Sequence, residues 1–130
     1  ILYPPDGTAT GTLYTDGSRA GKQHPHFASY GWAFVCIDDE GRITAIARGR
    51  APWWVTSVTG AEAWALAQAA VNSIFSTNFK SDCMPCIQTW QSGKTAALAA
   101  SSKCARAWSA FFAAFDDDDS HTVDPVAPNP

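Results

Sequence analysis

The feature that most constrains the fold is a change in sequence character between residues 30 and 60. The segments "YGWAFVCID" and "ITAIARGRA" are rich in aromatic and β-branched residues, and the turn sequence "DDEGR" joins them, which predicts a β-hairpin. From residue 59 the chain becomes alanine-rich, and "TGAEAWALAQAAVNSIF" places apolar residues at helical spacing. A switch from strand to helix periodicity is typical of a mixed α/β architecture.

The remaining segments extend this pattern on both sides. "GTLYTD" at 11–16 predicts a first strand that ends on Asp16, with Gly17 and Ser18 turning the chain. After the alanine-rich helix, a short strand before Asp82 and one or two further helices are expected up to residue 115. The predicted order is therefore β-β-β-α-β-α-α.

At 130 residues the chain is expected to form one domain. We predict an extended lead-in at 1–10, a folded domain at 11–115 and an acidic, proline-rich tail at 116–130. The chain opens with "ILYPPDG" and no Met, so we expect an internal piece of a longer protein or a processed product.

Three acidic residues fall at the ends of predicted elements. Asp16 ends the first strand, and Asp82 directly precedes a helix. Glu62 falls in the first turn of the alanine-rich helix if Thr59 is its N-cap. Each acid has a structural interpretation, as a turn residue, a helix cap or a partner of the helix dipole. They can also converge in one α/β layer, where their mutual repulsion favours binding of a hard divalent cation by their oxygens.

The motifs around these acids resemble those of the ribonuclease H family. They are "YTDGS" at 14–18, "TGAEAWALAQAA" at 59–70 and "KSDCMPCI" at 80–87. The resemblance covers about residues 13–115. It implies an α/β fold with a ribonuclease H-like mixed sheet: a three-stranded antiparallel meander, a helix, a further strand and more helices.

The same resemblance implies a function. Asp16, Glu62 and Asp82 would be the catalytic residues and the metal ligands of an endonuclease that hydrolyses the RNA strand of RNA–DNA hybrids. The implied cofactor is Mg²⁺ or Mn²⁺, as two ions about 3.5–4 Å apart. Ser18 and Arg19 would contact the substrate, an RNA–DNA hybrid recognised by its shape, phosphates and 2′-hydroxyls.

The sequence departs from the family pattern at its C-terminal end. Asp124 and His121 lie in a proline-rich segment, so we expect a C-terminally truncated fold that lacks the fifth strand, the His-bearing loop and the last helix with its fourth carboxylate. The active site would then be incomplete. A second hypothesis follows: a non-catalytic domain of the same fold, acting as a structural or docking subunit with a protein partner at the open sheet edge.

The cysteines allow several interpretations. Buried free thiols are the commonest state of such residues. However, "DCMPCIQ" has the C-x-x-C spacing of a thioredoxin-type redox motif, with Cys83 and Cys86 at a helix start. A zinc site that adds Cys104 and His121 has the first pair correctly spaced and irregular spacing afterwards.

Charge and hydropathy add little about function. The net charge of −3 gives no overall attraction for nucleic acid, so a polyanionic substrate would need a local basic patch or divalent metal. No apolar run reaches the 18 or so residues of a membrane span. An intracellular protein is favoured over a secreted one, and the sequence indicates no compartment beyond that.

Overall fold

The computed structural model describes residues 11–20, 29–72, 78–99, 104–114 and 122–126. The predicted lead-in at 1–10, the acidic run at 116–119 and His121 lie outside these residues. Among the described helices, none is long and apolar enough to cross a lipid bilayer.

The predicted three-stranded meander is confirmed. Strands β1 (Thr12–Ala20), β2 (Ser29–Ile37) and β3 (Ile43–Arg50) pair antiparallel in sequence order. Alternation of burial along each strand separates an inner face, packed on the helices, from an outer face that is largely exposed. The meander therefore has one face packed on the helices and one face largely open to solvent.

Two parallel strands extend the sheet beyond β1. Strand β4 (Asn78–Ser81) pairs with β1, and β5 (Thr122–Pro125) pairs with β4, which gives the order β3-β2-β1-β4-β5. The expectation that the fifth strand is missing is therefore wrong, and residues 122–125 belong to the sheet and not to a tail. Val123 of β5 is 1% exposed and belongs to the core. The position expected to receive a strand from a protein partner is occupied by the chain itself.

The described residues contain four helices. They are α1 (Val58–Val71), α2 (Met84–Gln91), α3 (Lys94–Ala97) and α4 (Ala105–Ala113). Where one or two further helices were predicted after β4, the part of the chain that the structure describes has three, because the last predicted helix is divided into α3 and α4. Cys104, directly before α4, has a left-handed φ of 66°, which continuous helix does not allow.

Alanines let α1 pack closely on the sheet and on α4. Nine residues of this helix are buried, and six of them are alanines. Without long side chains between them, backbones approach closely, and the larger core residues fill the space on either side. Phe79 of β4 contacts Phe111 of α4 edge-to-face, with ring centroids 5.6 Å apart. The core therefore fixes α1 and β4, which carry two of the predicted site residues, relative to β1.

Candidate metal centre

Asp16 lies within β1 and not at its end. The strand continues to Ala20, so "TDGS" is not a turn and the Asx-turn interpretation of Asp16 is wrong. The continuation is explained by pairing, because Asp16, Gly17 and Ser18 are opposite Ala33, Trp32 and Gly31 of β2.

Gly17 explains why the motif contains glycine. A Cβ at this position would lie 2.5 Å from the backbone nitrogen of Glu62 and 2.6 Å from the carbonyl carbon of Ala61. Helix α1 therefore approaches β1 too closely for any side chain at this point of the strand. The glycine serves a close approach of two backbones, and not a change in chain direction.

Glu62 is positioned by that approach. The N-cap of α1 is Ser57, whose Oγ accepts a hydrogen bond of 3.0 Å from the backbone N–H of Gly60, and not Thr59 as predicted. Glu62 consequently lies in the second turn, and the interpretation as a first-turn acid is wrong. Its side chain is 5% exposed, and its carboxylate accepts a hydrogen bond from the backbone N–H of Gly17.

Asp82 follows the last residue of β4. The N-cap of α2 is Cys83, so the predicted N-cap role of Asp82 is wrong. The backbone N–H of Cys83 donates to the hydroxyl of Ser81 at 3.1 Å, which leaves the exposed Asp82 carboxylate outside the cap.

Two of the three acids lie just past the paired part of β1 and β4. The pairing of these parallel strands covers Thr12–Tyr14 of β1, while β1 itself runs on to Ala20. The chain leaves β1 towards β2 on one side, and β4 lies on the other. Asp16 and Asp82 each lie two residues beyond the last pair, Tyr14 with Lys80, at the carboxyl ends of the paired segments, where α/β sheets commonly bind ligands.

The structure brings Asp16, Glu62 and Asp82 together. One carboxylate oxygen from each lies within 4.8 Å of those from the other two, and the described residues contain one such acidic group. Asp16 and Asp82 are exposed, whereas Glu62 is buried between them and the sheet. The predicted convergence of the three acids is therefore confirmed as geometry.

The environment of Glu62 disfavours its charged form when no cation is present. Burial is the main reason that its pKa rises from 4.5 to about 8, and the negative charges of Asp16 and Asp82 add to the effect. The hydrogen bond from Gly17 acts in the opposite direction. Oε2 of Glu62 is buried and has no hydrogen-bond partner, although buried carboxylate oxygens are ordinarily paired.

These properties fit a hard divalent cation. The donors are all carboxylate oxygens, the type that Mg²⁺ and similar ions prefer. A cation would supply the partner that Oε2 of Glu62 lacks, and would offset the repulsion among the three acids. Two exposed acids leave the site open to solvent and to a substrate.

The predicted substrate residues lie on opposite faces of β1. Ser18 lies on the outer face with Asp16, and both line a groove of about 450 Å³ together with Arg48. Arg19 alternates to the inner face, where its Nε is buried without a hydrogen-bond partner. The contact of either residue with a substrate stays a prediction.

Arg48 is a site residue that the sequence reasoning missed. The register pairs Asp16 with Ala33 and Ala33 with Arg48, so the three residues form one row across the outer face. In the next row Ser18, Gly31 and Arg50 are aligned in the same way. The signal was present, because the alternation of "ITAIARGR" already places Arg48 and Arg50 on one face of their strand.

Asp124 is not part of the acidic group. It lies in β5, and its carboxylate is 3.9 Å from the ammonium of Lys80 on β4. Within the described ranges, no fourth carboxylate joins the three acids.

Comparison with known proteins identifies the fold but not a sequence family. No protein-family model matches this chain, and no curated protein matches it. Among solved structures, ribonuclease H1 of Halobacterium salinarum aligns with a TM-score of 0.62 and 18% identity, over 88% of this chain and 83% of that one. The ribonuclease H domain of prototype foamy virus gives 0.69 and 14%, over 95% and 82%.

A third structure, LC11-RNase H1 in complex with an RNA/DNA hybrid, aligns with a TM-score of 0.66 and 13% identity, over 88% of this chain and 83% of that one. Identities this low carry information about the fold alone. The strand order, the antiparallel meander and the helix packed on β1 agree with that likeness. The chain has a ribonuclease H-like fold.

Proposed function

We propose that this chain is a metal-dependent endonuclease domain that hydrolyses the RNA strand of RNA–DNA hybrids. The observation that carries the proposal is the convergence of carboxylate oxygens from Asp16, Glu62 and Asp82 within 4.8 Å of one another. Solved ribonuclease H structures with the same fold, one of them bound to an RNA/DNA hybrid, support the choice of substrate.

The three carboxylates would hold the metal, and each element contributes differently. Glu62 is buried and accepts a hydrogen bond from the Gly17 N–H, so its carboxylate is held in one position. Asp16 and Asp82 are exposed and face the space where a phosphodiester would lie. When bound, Mg²⁺ or Mn²⁺ would supply Lewis-acid activation of water and stabilisation of the leaving oxygen.

The protein's own contribution is positioning and electrostatics. The site requires no nucleophilic side chain, because a water molecule can attack the phosphorus directly. The strands and helices that carry the acids are packed into one core, which limits their reorganisation during the reaction. Burial of Glu62 keeps water away from one side of the site.

The outer face of the meander would carry the substrate backbone. Arg48 and Arg50 provide positive charge there on a chain whose net charge is −3. Gly31 and Ala33 of β2, the strand between β1 and β3, are small residues and line a shallow groove in which a strand of nucleic acid could lie. Ser18 could donate a hydrogen bond to phosphate or to a 2′-hydroxyl.

The experiment is a cleavage assay on the full chain with four end-labelled substrates of one sequence: an RNA–DNA hybrid, double-stranded RNA, double-stranded DNA and single-stranded RNA. We expect cleavage of the RNA strand of the hybrid, dependent on Mg²⁺ or Mn²⁺ and abolished by EDTA. Asp16→Asn should lose activity. The matched control is Asp39→Asn, which alters an exposed carboxylate in the turn between β2 and β3.

Two results would contradict the proposal. One is hybrid cleavage that Asp16→Asn, Glu62→Gln and Asp82→Asn leave unchanged. The other is the absence of metal-dependent cleavage of all four substrates by a folded chain.

A further inference from the structure

The C-x-x-C motif, which the proposed function does not use, places two cysteines on one turn at the start of α2. Cys83 is half-buried and precedes α2, and Cys86 in its first turn is 1% exposed. The backbone N–H of Cys86 donates to the carbonyl of Cys83 at 3.1 Å, so one tight turn joins the two residues.

This geometry is suited to a disulfide. Residues three apart across one helical turn have Cα atoms about 5 Å apart. Disulfide-bonded cysteines have Cα separations of about 4.4–6.8 Å. The pair can therefore be joined by rotation of its side chains without unwinding α2.

The surroundings of the pair connect it to the group of three acids. Cys83 is joined to Asp82 by a peptide bond, and the Cys83 N–H is held by the Ser81 hydroxyl. The thiol of Cys86 donates to the backbone carbonyl of Thr59 in α1, at 3.7 Å. The two cysteines therefore adjoin α1, which carries Glu62, and the end of β4, which Asp82 follows.

We propose that Cys83 and Cys86 are a redox-active dithiol, which low-molecular-weight disulfides close reversibly to an intramolecular disulfide, and that closure weakens divalent-metal binding at Asp82. The second half of this proposal rests on the proposed metal site. The first half does not, because it concerns the thiols alone.

The oxidation is a balanced thiol–disulfide exchange. The Cys83 sulfur attacks a disulfide such as oxidised glutathione and releases one glutathione thiol, which leaves a mixed disulfide on Cys83. The Cys86 sulfur then attacks the Cys83 sulfur and releases the second glutathione thiol. The protein loses two electrons and two protons, both of which the two glutathione molecules carry away. Partial exposure suits Cys83 to the first step, and the second step is intramolecular and needs no solvent access to Cys86.

Closure acts on the metal site through the backbone. It joins the two sulfurs by a bond of about 2.05 Å and fixes the side-chain rotation of Cys83. It also displaces the Cys86 sulfur from Thr59. Loss of a group that orients a metal ligand typically reduces metal affinity about 10–100-fold, and for this shift of the backbone beside Asp82 we expect the lower end, about tenfold.

The first measurement uses the full, metal-free chain, equilibrated in buffers of reduced and oxidised glutathione, then alkylated and mapped by mass spectrometry. We expect one cross-link, between Cys83 and Cys86, which dithiothreitol reverses. Cys83→Ser should abolish it, and Cys104→Ser should leave it unchanged. A cross-link that involves Cys104 or Cys36 instead, or retention of all four thiols in fully oxidising buffer, would overturn the proposal.

The second measurement is Mn²⁺ titration of the reduced and oxidised chain by calorimetry. We expect the affinity of the oxidised chain to be about tenfold lower, with no redox effect in Cys83→Ser. Equal Mn²⁺ affinity in both forms would overturn the coupling. If the disulfide forms and neither form binds Mn²⁺, the proposed metal site fails and the coupling fails with it, while the dithiol itself stands.

Discussion

Gly17 is the position at which a single methyl group should disturb the metal site most. In Gly17→Ala the new Cβ would lie 2.5 Å from the Glu62 nitrogen and 2.6 Å from the Ala61 carbonyl carbon, both in the backbone of α1. Neither atom can rotate away. The backbone of Gly17 itself accepts alanine, because its φ is not positive. The substitution therefore tests the spacing between β1 and α1 and little else.

The size of the effect follows from the contact distances. Ordinary contacts of a Cβ begin near 3.4 Å, so α1 and β1 must separate by roughly 1 Å. Overpacking of this kind typically costs about 1–3 kcal/mol of unfolding free energy. The Gly17 N–H would also be drawn away from the Glu62 carboxylate, and we expect Mn²⁺ affinity to fall about 10–100-fold.

The assay is urea denaturation with Mn²⁺ calorimetry, and Gly31→Ala is the matched stability control. Gly31 lies on β2 opposite Ser18, and its new Cβ would meet the rotatable Ser18 hydroxyl at 3.1 Å and the Gly49 carbonyl oxygen at 3.5 Å, an ordinary van der Waals distance. Replacing a strand glycine by alanine otherwise stabilises by about 0.5–1 kcal/mol. Gly31→Ala should thus be neutral or stabilising. Equal stability and equal Mn²⁺ affinity of Gly17→Ala and the natural chain would refute the reasoning.

Three further predictions address Glu62, Arg48 and β5. The folded state holds the Glu62 proton more tightly than the unfolded chain does, because the pKa of Glu62 is raised from 4.5 to about 8. The unfolding free energy of the metal-free protein should therefore fall as the pH rises through this range, by at most roughly 5 kcal/mol. Urea denaturation at pH 5 and pH 8 measures this difference in unfolding free energy, which Glu62→Gln should abolish. An equal difference in the natural chain and in Glu62→Gln would contradict the prediction. Arg48→Ala should weaken binding of the RNA–DNA hybrid, measured by fluorescence anisotropy, and should reduce the slope of log K against log[salt] by about one. Arg42→Ala, in the exposed turn between β2 and β3, should change neither quantity. Val123→Ala should lower the unfolding free energy by about 1–3 kcal/mol, measured by urea denaturation. If the loss is no larger than that of Val126→Ala, at an exposed position, β5 does not belong to the core.

The sequence was sufficient to predict the elements that carry the site. Periodicity identified the meander and the alanine-rich helix, and the order of Asp16, Glu62 and Asp82 along those elements predicted their convergence. These features are local, since each depends on the residues of one segment and on their spacing. The three acids meet because β4 pairs with β1 in the sheet and α1 packs against β1.

Features that depend on partners distant in sequence could not be predicted. The continuation of β1 beyond Asp16 depends on pairing with β2, and "TDGS" by itself is typical of a turn. The strand β5 consists of four residues and ends on Pro125, so its periodicity is too short to recognise. It exists because β4 offers an unpaired edge, where a proline at the strand end is tolerated.

The most direct test of the central claim is Mn²⁺ titration by calorimetry at pH 8, on the reduced natural chain and on Asp16→Asn, Glu62→Gln and Asp82→Asn. If the three carboxylates form one metal site, the natural chain binds Mn²⁺ and each substitution weakens binding at least tenfold, while Asp39→Asn does not. Binding that all three substitutions leave unchanged, or no binding by the folded natural chain, would contradict the account.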